Sequence, residues 1–506
     1  MKYIIMLVGV VLITWIGVSS GAMAQNWQKK TIYGTIDHVQ PFTGIVFWTN
    51  NEAHHESEAI ALEFSYMLFN EVVSDSATYD WSAVEEKLDD VASRNHQVIF
   101  RFRFVYPGHQ TSVPDYIREM PDYNETEGIT EGQTTWFPDW SHPALRRFTL
   151  DFYRRFAEKY DQDPRLAYVQ VGFGLWGEYH IYDGPFELGV TFPSKEFQKS
   201  FFYHLDSIFH QTTWSISIDA ADNTYSPFEA TPKLKELKFG LFDDSFMHES
   251  HGGYNTNCWN FFGRDRYRRA PAGGEFSYYN QYDQEHVLDP IEGPYGKPYE
   301  EFARDFHITY INGNDQPRYQ SMERIKEASM ASGYRFHIES YRTASDTSVF
   351  EIRNTGTAPI YFDAYISVNG VRSPKNLRDL QPGQTKTYGV GAAGPDTTVR
   401  IECDRLLEGQ EIQFTGNQDV GQGKLRREDD LEIELYGSKL VISDQKGAKR
   451  LKLQVYNLIG RQVLHLQTRR RVIPFTATQL RPGMYIVRVE RKDPYAIQTR
   501  KIFWAR

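Results

Sequence analysis

Cysteine is nearly absent: Cys258 and Cys403 are the only two in 506 residues. They lie far apart and in different predicted domains, so no disulfide framework holds this chain. Neither has the spacing of a zinc site or the neighbours of a thiol nucleophile, and both are expected to be inert. Beyond the first two dozen residues no apolar run reaches the ~20 residues needed to span a bilayer. No Gly-rich phosphate turn follows the first predicted strand, which argues against a nucleotide-binding doubly wound sheet. The pair His54-His55 sits in a loop without an HExxH-like or closed ligand set, so neither a metal nor another cofactor is expected. The net charge is −10, which speaks against a nucleic-acid partner.

The two ends carry their own signals. Met1 to Ala24 has a positive start at Lys2, an apolar stretch from Ile4 to Ile16 and the small-residue pattern Ala22-Met23-Ala24. That is the design of a secretory signal peptide, so the mature protein is expected to be exported, with no membrane span once it is removed. At the other end, residues 431–506 hold sixteen Lys and Arg against five Asp and Glu, a net +11 that leaves −21 for the rest. Such asymmetry marks a separate module. Its alternating runs, Leu451 to Tyr456, Arg461 to Leu466 and Met484 to Val489, read as strands joined by turns at Asn457 to Gly460 and Pro482-Gly483.

Between the ends, strand-like and helix-like stretches alternate from about residue 25 to 335, long enough for a full (β/α)8 TIM barrel. Expected strands are Gly44 to Trp48, one within Ala59 to Phe69, Val98 to Phe104 and Tyr168 to Phe173. Trp214 to Ile218, Phe239 to Phe242, the stretch before Gly273, and His307 to Ile311 complete the set. Expected helices run from Trp81 to Asn95 (capped by Asp80 or Ser82), His142 to Tyr160, Ser194 to Phe209 and Arg318 to Ser332. Val84, Leu88 and Val91 share one helical face. Residues 336–416 change to short alternating strands with Asn-Gly-type turns, a small β-sandwich. A Gly/Gln/charge-rich linker, 417–430, follows.

The most informative stretch runs from Leu166 to His180. An apolar, β-branched and aromatic run, as in a strand buried on both faces, stops at Trp176-Gly177-Glu178. A carboxylate just past the C-terminal end of a parallel barrel strand sits where such barrels place their chemistry. A second glutamate, Glu275, follows Gly273-Gly274 at another predicted strand end. Two carboxyl groups are what glycosidic hydrolysis requires. Around them, Arg101 and Arg103 share a face of one strand, where charge must be paired. Arg103 is expected to hold a catalytic carboxylate ionised. Asp219, Asp243 and Asp244 end later strands and suit sugar hydroxyls, while Tyr179 and His180 flank Glu178. Trp176, Trp136 in the long stretch Pro107 to Trp140, and Trp259 in Asn255 to Tyr267 are candidate faces for sugar stacking. Each of these residues also has a plain structural reading, as a buttress, a loop staple or core.

Two resemblances add to this. Val455 to Arg461, Leu480 to Tyr485 and Lys501-Ile502 resemble the C-terminal sorting domain of the type IX (Por) secretion system of Bacteroidetes. That resemblance implies transport across the outer membrane followed by removal of the module. Trp176-Gly177-Glu178, Phe242 to Phe246 and Gly273-Gly274-Glu275 resemble an uncharacterised family of secreted barrel proteins. The wider pattern is similar to retaining glycosidases with glutamates after strands four and seven. Thr78 to Trp81 and Val98 to Arg103 look like the opening of family-42-like and cellulase-like barrels. The resemblance implies that Glu178 is the acid/base and Glu275 the nucleophile. One departure stands out: Gly177 precedes Glu178 where many relatives have the Asn that binds the 2-hydroxyl.

The leading expectation is a secreted glycoside hydrolase built as a TIM barrel, a β-sandwich and an all-β sorting domain. Its partners would be a carbohydrate substrate and, through residues 431–506, the type IX machinery. A non-catalytic glycan-binding surface protein on the same fold is the alternative; an adhesin-like protein requires the barrel reading to fail. Deleting residues 431–506 should leave the protein folded in the periplasm, as followed by cell fractionation; normal appearance of the truncated chain in the medium would refute the sorting role.

Overall fold

The computed structural model describes residues 26–416, except 250, 290–292, 295 and 396, and, towards the C-terminus, 431–436, 439–444, 451–457, 461–469, 472–474, 483–492 and 495–504. The expected signal peptide and the linker 417–430 lie outside the described residues. The chain divides into two compact units, 1–417 and 418–506.

In the first unit eight parallel strands close into a barrel. They are β1 (Gly44–Trp48), β2 (Leu62–Leu68), β3 (Gln97–Arg103), β4 (Leu166–Val171), β5 (Thr213–Ser217), β6 (Gly240–Phe246), β7 (Ala272–Phe276) and β8 (Tyr310–Asn312). Closure comes from β8 pairing with β1, Tyr310 opposite Gly44 and Asn312 opposite Val46. The main helices are α1 (Ser82–Ser93), α2 (Pro143–Tyr160), α3 (Lys195–Ile208), α4 (Gly252–Phe262) and α5 (Met322–Met330). Among the described residues no helix is long and apolar enough to cross a membrane.

The helix signals mostly hold. Val84, Leu88 and Val91 of α1 are buried, but its N-cap is Trp81, which makes no side-chain bond. Asp80 instead accepts from the Ser82 N–H at 2.9 Å. Ser194 caps α3 by accepting from Phe197 N–H at 3.3 Å. The last expected helix starts later, at Met322, because Ser321 caps it and Gln316–Arg318 forms a separate 3-10 turn.

Alternation along β3 shows how the barrel is filled. Val98, Phe100 and Phe102 join the apolar layer beneath the helices, while Ile99 and Arg101 point into the barrel. Ile99 belongs to a second core with Val46, Phe64, Tyr168 and Tyr310. Tyr168 and Tyr310 stack at 5.2 Å. Gly273 faces the Tyr310 ring, and a Cβ there would lie 2.3 Å from Tyr310 Cζ. That glycine is therefore a packing requirement of the barrel interior.

The same core continues into the β-sandwich. One sheet contains β9 (Phe336–Thr343), β10 (Ser348–Asn354) and β12 (Thr385–Val390); the other contains β11 (Ala364–Val368) and β13 (Val399–Cys403). Phe336, Ile352, Phe362 and Ile401 share one cluster with the inward residues of the barrel, and Phe362 lies 5.9 Å from Tyr168. The expected division at residue 335 is thus crossed by a continuous core. It is crossed a second time at the start of the described chain. Gln28–Lys30 falls within the expected barrel segment, but it pairs antiparallel with β9, Gln28 opposite Thr343.

The second unit is all β, as the alternating pattern predicts. Leu431–Tyr436, Lys439–Asp444 and Val472–Pro474 form one sheet; Leu451–Asn457, Gln462–Thr468, Gly483–Lys492 and Tyr495–Trp504 form the other. Ile433, Ile442, Leu453, Val455 and Val487 lie in its core. The turn residues 458–460 and 475–482, which carry parts of the sorting motifs, are outside the described residues.

One arginine fastens sandwich to barrel within the first unit. Arg405 donates to the carbonyls of Asp161 (2.6 Å), Asp163 (2.8 Å) and Leu166 (2.6 Å), at the entry to β4. Its guanidinium lies 5.0 Å over the Phe362 ring. Arg405→Met should keep the packing but remove three bonds; the Asp161 carbonyl keeps the Thr212 hydroxyl and the Asp163 carbonyl keeps the Leu166 N–H, so unfolding free energy should fall by about 1–3 kcal/mol. Urea denaturation measures this; a loss below about 0.5 kcal/mol, the scale of an ordinary surface substitution, would show that the contacts are dispensable.

Candidate active site

The stretch after β4 folds back on itself. The Glu178 carbonyl accepts from Phe173 N–H (3.0 Å) and Gly174 N–H (2.8 Å), and the His180 carbonyl from Leu175 N–H (3.0 Å). A Cβ on Gly172 would meet the Gly177 carbonyl at 2.1 Å, and one on Gly174 the His180 carbonyl at 2.1 Å. Gly177 has φ +72° and Trp176 φ +55°, so the turn needs a glycine at 177 and holds Trp176 in the left-handed region. The glycines clear room for the loop's own backbone, and the tight loop fixes Glu178 over the barrel.

Glu178 and Glu275, from the fourth and seventh strand ends, line one open cavity of about 1070 Å³ at the C-terminal end of the barrel. Asp219, Asp243, Asp244, His180 and Trp176 line it too. Of the residues singled out from sequence, these seven come together. Trp136, Trp259 and Arg103 do not join the lining. Trp136 lies on a β-hairpin, Thr126–Thr130 with Gln133–Phe137, that forms within the long stretch after β3. Trp259 is buried on α4, and its indole N–H donates to Asp243 Oδ2 at 3.0 Å. It orients an acid and offers no free face. Trp140 is core, packed on Phe104 and Phe173.

The arginine that holds a carboxylate is Arg101. Its Nη2 donates to Asp244 Oδ1 at 2.9 Å, Nη1 reaches Glu178 Oε1 at 3.4 Å, Nε donates to Gln170 Oε1 at 2.8 Å, and Nη1 also reaches the Trp176 carbonyl at 3.3 Å. Arg103 lies 4.3 Å over the Tyr106 ring and, among the described residues, pairs with neither glutamate. The role expected of Arg103 thus falls to the residue two places earlier, which lies deeper in the barrel. Sequence reading also passed over Asn312, whose Nδ2 donates to Glu275 Oε1 at 3.0 Å.

The electrostatics are set by crowding of acids in a dry site. Burial pushes Asp243 up to about 7, against the Trp259 and Ser245 N–H groups that favour its charge. Burial and then the charge of Glu178 push Asp244 up to about 8, despite Arg101. Glu275 is raised well above the usual carboxyl range by burial and then by Asp244. Burial also raises Asp219. His180 goes the other way: burial opposes its charge, but its bond to Glu178 and the field of Asp219 hold it at about 9. Its Nε2 lies 2.9 Å from Glu178 Oε2 and 3.5 Å from Asp219 Oδ2. The site thus combines carboxyls that keep a proton near neutral pH with an imidazolium and a guanidinium, which suits proton transfer to and from a bound molecule.

Glu178, His180 and Asp219 present ligand atoms within 4.8 Å of one another, the donor set of a divalent cation. His180 Nδ1 is buried without a partner among the described residues, whereas metal-bound imidazoles ordinarily donate that N–H to a second group. The arrangement fits a protonated imidazole shared by two carboxylates better than a metal.

No family model matches the chain, and no curated protein matches it. Solved structures do show similarity. A tri-modular endo-β-1,4-glucanase from Bacillus halodurans aligns over 92% of this chain and 96% of its own, at 9% identity and TM-score 0.32. A glycoside hydrolase family 30 xylanase from Clostridium acetobutylicum aligns over 72% and 97%, at 10% identity and TM-score 0.32. A GH36 α-galactosidase from Geobacillus stearothermophilus aligns over 72% and 56%, at 10% identity and TM-score 0.28. The barrel itself is established by its closed parallel strand pairing.

The crowded acids have a thermodynamic signature. Unfolded, Asp243 and Asp244 ionise near their ordinary value of 3.8; folded, they hold protons to about 7 and about 8. Folding therefore takes up protons between these limits, and stability falls as pH rises through them. His180 acts in the same direction: its contribution is complete below 6.5 and is lost as pH rises through about 9. Unfolding free energy should decline from pH 5 to pH 8.5, a range chosen to span about 3–4 units of these titrations. Asp244→Asn, which still accepts from Arg101, should flatten the decline by an amount on the order of 1–3 kcal/mol. Parallel profiles for the two proteins would refute the charge crowding.

Proposed function

We propose that this chain is an exported glycoside hydrolase that cleaves a poly- or oligosaccharide with Glu178 and Glu275, by a retaining mechanism. The observation that carries the reading is that both carboxyl groups line one open cavity with an aromatic wall, at the end of the barrel where such folds do their chemistry. Trp176 and Tyr182 stack at 6.1 Å and 22° on that wall, a surface of the kind on which sugar C–H faces pack. Residues 431–506 serve export in this reading, and the sandwich and barrel act together outside the cell.

The resemblance gave the proton donor's role to Glu178. The surroundings favour the opposite division. Glu275 is the carboxyl whose hold on a proton is raised by burial and then by Asp244, and it accepts from the neutral amide of Asn312. Glu178 lies against two cations, Arg101 and His180. In this assignment Glu275 delivers a proton to the leaving oxygen while Glu178 attacks the anomeric carbon. Glu275, then ionised, takes a proton from water, and that water displaces Glu178 from the sugar. Retention requires the two carboxyls to act from opposite faces at about 5–5.5 Å.

Kinetics with unactivated glycans and activated aryl glycosides separate the roles. Glu275→Gln should lower turnover of glycans about 10²- to 10⁴-fold while sparing the first step on aryl glycosides. Glu178→Gln should abolish both. Azide should rescue Glu275→Ala with retained configuration, and should yield the inverted glycosyl azide with Glu178→Ala. The mirror pattern would restore the roles given by resemblance. Wild-type activity in both variants would refute the pair. A glycan that binds and is never cleaved would identify a glycan-binding protein.

A further inference from the structure

The ionisable lining of the cavity is one-sided. Eight acids face it: Glu131, Glu178, Asp219, Asp222, Asp243, Asp244, Glu275 and Asp315; among the described residues His180 and His251 are the only basic residues of the lining, with no lysine or arginine. Arg101 lies beneath, already committed to Glu178 and Asp244. A sugar carrying a carboxylate or sulfate is held by arginine or lysine, and among the described residues none lines this cavity.

The second observation concerns the wall. Tyr182, Tyr254, Tyr278 and Tyr279 line the same cavity and are between 47% and 63% exposed. Exposed aromatic faces beside carboxylates attract ammonium groups through the ring quadrupole, and walls of one sign concentrate the opposite charge. Tyr279 stands edge-on to His251 at 4.4 Å, and Tyr182 is hydrogen-bonded to Glu131 at the hairpin tip.

We propose that the sugar unit taken by this cavity bears a free, protonated amino group, that is, a hexosamine without its N-acetyl group. The proposal rests on the glycosidase reading for the site and goes further in naming the substrate class. An ammonium group fits the remaining need of the lining, a donor of positive charge and of up to three hydrogen bonds. A bare divalent cation is the rival occupant, on Glu178, His180 and Asp219, but it would use no aromatic face and would displace the proton from His180.

The test uses the full chain without its first 24 residues. Calorimetry compares glucosamine and galactosamine oligosaccharides with their fully N-acetylated forms, the neutral hexose oligosaccharides and oligogalacturonates, each with and without EDTA. At least one free-amine series should bind ten-fold or more tightly than its N-acetylated and neutral counterparts. The advantage should shrink at 0.5 M NaCl and in Asp222→Asn and Asp315→Asn, with folding checked by circular dichroism. Equal or tighter binding of the neutral, acetylated or uronate series overturns the proposal, as does an advantage that EDTA abolishes. Cleavage of a neutral glycan, silenced by Glu178→Gln but with no amine preference, leaves the glycosidase reading standing and the amine proposal refuted. Tight amine binding with no cleavage of any series supports the ligand class and refutes the hydrolase.

Discussion

Everything at the cavity floor depends on the burial of one guanidinium. Arg101 is 3% exposed, and an unpaired cation there would cost several kcal/mol. It is therefore surrounded on every side: Gln170 on β4, the Trp176 carbonyl in the following loop, Glu178, and Asp244 on β6. The Phe242 ring lies 4.3 Å beneath its plane. Three elements, β4, the loop that follows it and β6, are thereby tied to one rigid, planar donor on β3. The loop bearing Glu178 owes its place to this group twice, through backbone and through side chain. The acids, in turn, are tolerable in the barrel because the arginine is there.

That arrangement was half legible in the sequence. Alternation along the third strand put Arg101 and Arg103 on one face and so inside the barrel. It could not say which reached an acid, because the two differ by about 6.6 Å along the strand and the stagger of neighbouring strands is not written locally. Glu178 and Glu275 were legible because each ends an apolar run beside glycines. What the glycines do was not: Gly172 and Gly174 clear the loop's own carbonyls, and Gly273 clears the Tyr310 ring. Trp259 shows why aromatic counting misleads. A buried indole can satisfy an acid through its N–H, and composition does not distinguish that from an exposed platform. Tyr182, Tyr254 and Tyr279 are scattered in sequence, and only barrel closure gathers them. The sandwich strands are legible in the alternating pattern, but the joining of Gln28–Lys30 to them is not, since three polar residues carry no periodic signal.

The site also explains where this molecule gives up stability. Carboxyls buried in a dry cavity lose the water that would favour their charge, and after that they repel one another; their raised affinities for protons are the visible sign of both. A well-packed apolar replacement would make a firmer barrel. Groups poised to exchange protons near neutral pH need such an environment, and functional sites are where it is found. The compensating packing lies at the opposite end, in the shared core of Tyr168, Tyr310 and Phe362 and in the bonds of Arg405.

The pairing of Gln28–Lys30 with β9 carries a kinetic consequence. The first strand of the described chain finds its neighbour more than three hundred residues later, and Phe414–Thr415 then pairs with the same strand in parallel. This sheet has a very high contact order, so its closure waits on a large loss of chain entropy. A ribosome must deliver residue 415 before the unit can be completed. Until then the nascent unit stays open, with its eventual floor uncovered, and its first and last strands join late.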